Sequence, residues 1–146
     1  MGTGVGGVPM KMWNIAGKVS DLEKEISFVT ATGGHVLLDN IIHIEGRDFR
    51  VVLMKWGDKY LHLFEKAVYE HHLESPLGHG LCHVVFEVSN LAEARQRALD
   101  AGARELMPPT YVSSGFGTRD VAFLQSPGGI LFEFAEIHEH KVPVLP

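Results

Sequence analysis

The chain has 146 residues, 45% hydrophobic and 21% charged, with a formal charge of −5. This length supports one domain with a sizeable core, and the acidic balance gives no electrostatic case for nucleic acid or an anionic membrane surface. No apolar run is long enough to span a bilayer, and the single cysteine, Cys82, cannot form an intrachain disulfide, which suits a reducing cytoplasm.

The opening "MGTGVGGVPM" lacks the charged and apolar regions of a secretory signal, and Gly6 defeats the N-myristoylation pattern. It reads as a flexible glycine-rich tail. "WNIAGKV" then reads as a strand, and Ser20 and Asp21 offer N-cap chemistry for a helix over "LEKEISFVTAT", closed by Gly33. Three strands follow, "HVLLDNIIHI", "DFRVVLMKW" and "YLHLFE", divided by the turn signals "EGRD" and "WGDK". "KAVYEHHLESPLGHG" reads as an exposed linker, with His71, His72 and His79 on a solvated surface. A second strand–helix pair, "CHVVFEV" and "LAEARQRALDA", is capped by Ser89 and Asn90 and closed by Gly102. A strand near "ARELMPPTYV" is ragged or an edge because of Pro108 and Pro109, and "RDVAFLQ" and "ILFEFAEI" complete the set. "YVSSGFGTRD" has the content of a mobile loop from which Tyr111 or Phe116 could close over a ligand, and "HEHKVP" reads as a polar tail holding His138 and His140.

The two halves repeat. Asn14–His35 overlays His83–Arg104 at an offset of 69, placing Val19 on Val88, Ser20 on Ser89, Leu22 on Leu91 and Gly33 on Gly102. Val51–Glu65 overlays Ala122–Glu136 at an offset of 71, placing Leu53 on Leu124, Gly57 on Gly128, His62 on Glu133 and Glu65 on Glu136. Two copies of a βαβββ unit with a two-residue insertion account for both offsets. The expectation is an α+β fold in a single domain spanning residues 1–146. Repeat one covers about 11–66, a linker 67–79, repeat two about 80–137 and a polar tail 138–146.

This duplicated unit, with "VSDLE" after the first strand and "SPGGILFEF" at the end, resembles the vicinal oxygen chelate superfamily over about residues 11 to 137. That group includes glyoxalase I, methylmalonyl-CoA epimerase, extradiol dioxygenases, and fosfomycin- and bleomycin-resistance proteins. The resemblance implies a curved, half-open sheet around a cleft. It also implies four cleft-facing positions, one on the first and one on the last strand of each unit, which here are Asn14, His62, His83 and Glu133. Period-two alternation sets Asn14, Ala16 and Lys18 on one face and His83, Val85 and Glu87 on the equivalent one. Trp13, Ile15, Cys82 and Val84 are then expected to face the helices, with Lys18 and Glu87 forming a structural salt bridge.

Two imidazoles and a carboxylate are a credible set for one divalent ion, Fe, Mn, Co, Ni or Zn. The expected ligands are His62, His83 and Glu133. Asn14 departs from the His or Gln usual in the family, and its neutral amide is expected to hold a metal-bound water or the substrate. Glu133 and Asn14 are the expected catalytic residues, with Glu133 acting as base by leaving the metal. The resemblance thus implies a metal-dependent lyase or isomerase, of glyoxalase or epimerase type, that stabilises the enolate of a small oxygen-chelating substrate. Two other readings stay open: an Fe(II) extradiol-type dioxygenase, and a non-catalytic protein that sequesters a ligand. The expected partners are a small-molecule substrate and a second copy in a homodimer, with no nucleic acid or membrane, in the cytoplasm.

Overall fold

A computed structural model of the protein describes residues 10–142, so nearly all of the opening tail lies outside the described residues. The elements run β1 (Met10–Lys18), α1 (Leu22–Ala31), β2 (His35–Ile44), β3 (Arg47–Trp56) and β4 (Lys59–Phe64). After a short 3₁₀ turn (Glu70–His72) come β5 (Gly80–Val88), α2 (Leu91–Asp100), β6 (Arg104–Ser114), β7 (Gly117–Gln125) and β8 (Leu131–His140). Each half is the expected βαβββ unit.

The helices form for the same local reasons in both halves. Asp21 Oδ1 accepts from Lys24 N at 3.1 Å, and Asn90 Oδ1 accepts from Glu93 N at 3.0 Å, so each side chain satisfies a free first-turn amide. A carboxylate just past β4 in the first half and one on β8 in the second add a second such bond. Leu22 N donates to Glu65 and Leu91 N to Glu136, both at 2.8 Å. Each helix stops before a glycine with left-handed φ, Gly33 or Gly102.

All eight strands form one sheet in the order β2-β3-β4-β1-β5-β8-β7-β6. The antiparallel β1–β5 pair joins the halves at its centre, while β1–β4 and β5–β8 run parallel. The register carries the repeat. Ala16 lies between His62 on β4 and His83 on β5, and Val85 lies between Asn14 on β1 and Glu133 on β8. A pseudo-twofold that takes Asn14 to His83, Ala16 to Val85 and His62 to Glu133 reproduces all four pairings, with the offsets of 69 and 71 read from the sequence. β6 is an edge, and its pairing with β7 slips on both sides of Met107, next to the two prolines. The sheet curls until its edges approach: a Cβ on Gly115, just beyond β6, would lie 3.1 Å from the Asn40 side chain of β2.

Burial divides into three clusters. Leu22 and Val29 of α1 pack on Val52, Met54, Leu61 and Leu63, and Leu91 and Ala94 of α2 pack on Ala122, Leu124 and Phe134. The largest cluster fills the concave side and draws on both halves, from Trp13, Ile42, Phe49 and Phe64 to Val85, Val112, Val121 and Phe123.

Several local expectations are corrected. Trp13 joins the concave-side cluster and does not face a helix, because the β1–β5 register skips between Met12 and Asn14. Cys82 sits at a second slip, with its thiol donating to Ala16 O at 3.4 Å and lying 3.7 Å from His83 Nδ1. The segment read as a linker buries Ala67 and Tyr69. Lys18 does not meet Glu87; it pairs with Glu70 and donates to Leu77 O at 3.0 Å. The anticipated loop is a tight β6–β7 turn with Ser114 paired to Gly117, so Phe116 is buried while Tyr111 points outward. His138 and His140 belong to β8.

Candidate active site

The concave face of the sheet holds a small cavity of about 40 Å³. Its wall is mostly aliphatic and aromatic, including Ile42, Val51, Val112, Val121 and Phe123. Four polar side chains break that wall: His62, His83, Arg119 and Glu133. All four are buried, and buried polar groups normally have partners. Here two of them, His62 and Arg119, have a polar atom that does not.

His62 Nε2 has no hydrogen-bond partner. Its ring meets Trp13 edge-on, with 5.6 Å between centroids, and Phe116 at 5.2 Å. Burial, then the nearby charges of Arg119 and His83, hold its pKa well below the ordinary value, so the ring is neutral with a lone pair available. His83 is held on both sides. Tyr69 Oη lies 3.0 Å from its Nδ1, and its Nε2 lies 3.6 Å from Glu133 Oε1. Phe64 stacks on the ring at 6.0 Å. Burial pushes the His83 pKa down, but contacts with Cys82 and Glu133 outweigh this and raise it to about 9. Burial also raises the Tyr69 pKa, so its hydroxyl keeps its proton.

The structure therefore brings His62, His83 and Glu133 to one cavity from both halves of one chain. Asn14 is also buried, and neither of its amide atoms has a partner, but it is not part of the cavity wall. Among the described residues, groups of three ligand atoms within 4.8 Å of one another occur at Glu45, His71 and His72 and at Asp120, Glu136 and His138. Both are surface ion-pair clusters: Glu45 bridges His71 and His72 at 3.0 and 2.9 Å, and His138 pairs with Asp120 at 2.9 Å. His62, His83 and Glu133 are spaced more widely, around the cavity.

Two site residues were not anticipated from the sequence. Tyr69 lies in the segment read as linker, where no periodicity marks it. Arg119 precedes Val121 and Phe123 at period two on β7, so extending that strand's inward face by one step would have found it. Its guanidinium packs over Trp13 and Phe116, at 5.7 and 5.2 Å from the ring centroids, and its Nε has no partner. Burial lowers its pKa and Glu133 opposes this, yet arginine stays charged at neutral pH.

The donor chemistry suits a divalent metal. A neutral imidazole with an unpartnered nitrogen, a second imidazole oriented from behind by a hydroxyl, and a carboxylate are the groups such ions take. Among the described residues no helix is long and apolar enough to cross a membrane.

Comparison with known proteins agrees with the fold. Structural similarity extends to methylmalonyl-CoA epimerase in complex with methylmalonyl-CoA, at 21% identity and a TM-score of 0.69, covering 94% of this chain and 100% of that one. It extends equally to the hypothetical protein BH1468 from Bacillus halodurans C-125, at 21% identity and a TM-score of 0.65, covering 90% and 96%. A mutant of 4-hydroxymandelate synthase from Streptomyces coelicolor matches at 16% identity and a TM-score of 0.65, covering 93% of this chain but 41% of that longer one. No curated protein sequence matches. The model of the Glyoxalase/Bleomycin resistance protein/Dioxygenase superfamily matches residues 15–134, most of the chain and both repeats, and this protein belongs to that superfamily.

Proposed function

We propose that the chain is a divalent-metal-dependent enzyme that removes and returns a proton beside an oxygen-bearing carbon of a small substrate, as an isomerase or lyase. The observation that carries this reading is the unpartnered, desolvated Nε2 of His62, a residue that lines the same small cavity as the His83–Glu133 pair. His62, His83 and Glu133 would hold the ion. When bound, it would supply Lewis-acid stabilisation of negative charge developing on a substrate oxygen.

The chain's own groups do the rest. Tyr69 holds the His83 ring at Nδ1, which leaves Nε2, beside Glu133, for the ion. Glu133 is the available proton acceptor, and positioned carboxylates in this role contribute about 10²–10⁴ in rate. The apolar wall of Ile42, Val51, Val112 and Phe123 excludes water, which keeps these electrostatic interactions strong. Asn14 is assigned no direct contact with the ion.

Elemental analysis of protein purified without added metal tests the reading. About one divalent ion per chain is expected, with loss in both His62→Ala and His83→Ala and full retention in Asn14→Ala. Metal content near zero in the wild type, or unaltered in both histidine variants, would overturn it. A second reading rests on the donor set itself, since two imidazoles and one carboxylate also suit Fe(II) oxygen chemistry. Substrate-dependent oxygen uptake, in place of deuterium incorporation from D₂O, would favour that alternative.

A further inference from the structure

We infer that Arg119 is the specificity-determining residue of this site, and that it selects a small substrate carrying one carboxylate next to the oxygen that reacts: a short 2-hydroxy or 2-oxo acid. This deepens the proposed function and rests on the same cavity.

Arg119 carries a buried charge that, among the described residues, no carboxylate meets at ion-pair distance. The residue is 7% exposed and its Nε is unpartnered. Glu133, the acidic residue of the cavity wall, sits 3.6 Å from His83 instead. Burying a charge without a partner is costly, and folds tolerate it where a ligand completes the pair. The guanidinium is also held in one orientation by Trp13 and Phe116. A planar fork fixed in this way matches the two oxygens of a carboxylate.

The same surroundings define the rest of the molecule. One guanidinium balances a monoanion, and no lysine or second arginine lines the cavity to balance a phosphate dianion. The remaining wall is aliphatic and aromatic and the cavity is small, which favours a short acid. A carboxylate on Arg119 directs the neighbouring oxygen toward His62, His83 and Glu133, where the proposed chemistry takes place.

The test is binding measured by isothermal titration in EDTA-treated protein, which separates it from the metal question. The probes are 2-hydroxybutyrate, its neutral amide 2-hydroxybutanamide, and inorganic phosphate. The wild type is expected to bind the acid at least about thirtyfold more tightly than the amide, the usual scale for one desolvated charge pair. Arg119→Met should lose that preference while remaining at least as thermostable when free, because an unpaired buried charge is removed. Arg119→Lys, which keeps the charge but not the fork, should fall between the two. Equal binding of acid and amide by the wild type overturns the inference. So does phosphate binding tighter than the acid, or an unchanged acid preference in both variants. A free Arg119→Met protein that melts well below wild type would give Arg119 a structural role and would likewise overturn it. Wild-type metal content near zero in the earlier experiment, with the acid preference intact here, would sink the metal reading alone.

Discussion

His62 and His83 line one cavity but titrate in opposite senses. His62 is held neutral, its pKa far below the 6.5 of a free imidazole. In acid the unfolded chain takes up a proton that the folded chain refuses, so the His62 contribution is present above about pH 6.5 and lost as pH falls below it. His83 is raised to about 9. Its contribution is present below about 6.5 and lost as pH rises through 9. The metal-free protein should therefore be most stable near pH 6.5, with limbs of up to about 1.4 kcal/mol per pH unit on each side. Urea midpoints from pH 5 to 9.5 in EDTA check this. His62→Gln should flatten the acid limb and His83→Gln the alkaline one, and an acid limb unchanged in His62→Gln would show that this imidazole is not held neutral.

The strands and turns decide which side chains reach the cavity, and the β6–β7 turn is the most constrained of them. Gly117 has φ of +115°, and a Cβ there would lie 1.8 Å from Glu139 O. Gly117→Ala must move either the turn or the end of β8, at a cost of about 2–4 kcal/mol. Phe116 and Arg119 move with it, so small-acid binding should weaken as well. Gly128→Ala is the control: open space surrounds it, and its denaturation midpoint should stay within about 0.5 kcal/mol of wild type. A Gly117→Ala midpoint equal to that of the control would mean the turn is not under this constraint. The same elements explain what was legible beforehand. His62, His83 and Glu133 could be read because the repeat aligns them and strand alternation holds around them. Trp13 and Cys82 were misplaced because each sits where the β1–β5 register slips, and a bulge reverses the face that period two assigns. Tyr69 was invisible because burial in an irregular segment has no periodic signature.

At the scale of the molecule, the question is whether two repeats make one cooperative unit. Each helix covers only its own half, which on its own would allow separate unfolding. The concave cluster, the central β1–β5 pair and the cavity wall all draw on both halves, and neither half contains a complete site. One transition is therefore expected. The two tryptophans make this testable: Trp13 packs against Arg119 and His140 of the second repeat while Trp56 meets Phe28 of α1, so in a Trp13→Phe background fluorescence reports the first half. Glu136→Ala removes the helix-terminal bond to Leu91 N in the second repeat, which has no tryptophan. It should cost about 1 kcal/mol, or about 3 °C in melting temperature. If the sheet unfolds as a whole, the fluorescence midpoint falls by the same amount as the far-UV circular dichroism midpoint. Glu65→Ala, the equivalent change in the first repeat, should then have the same effect on both signals. A Glu136→Ala protein whose tryptophan transition stays at the wild-type temperature while circular dichroism becomes biphasic would mean the halves melt separately, and the cavity between them would lose its second wall first.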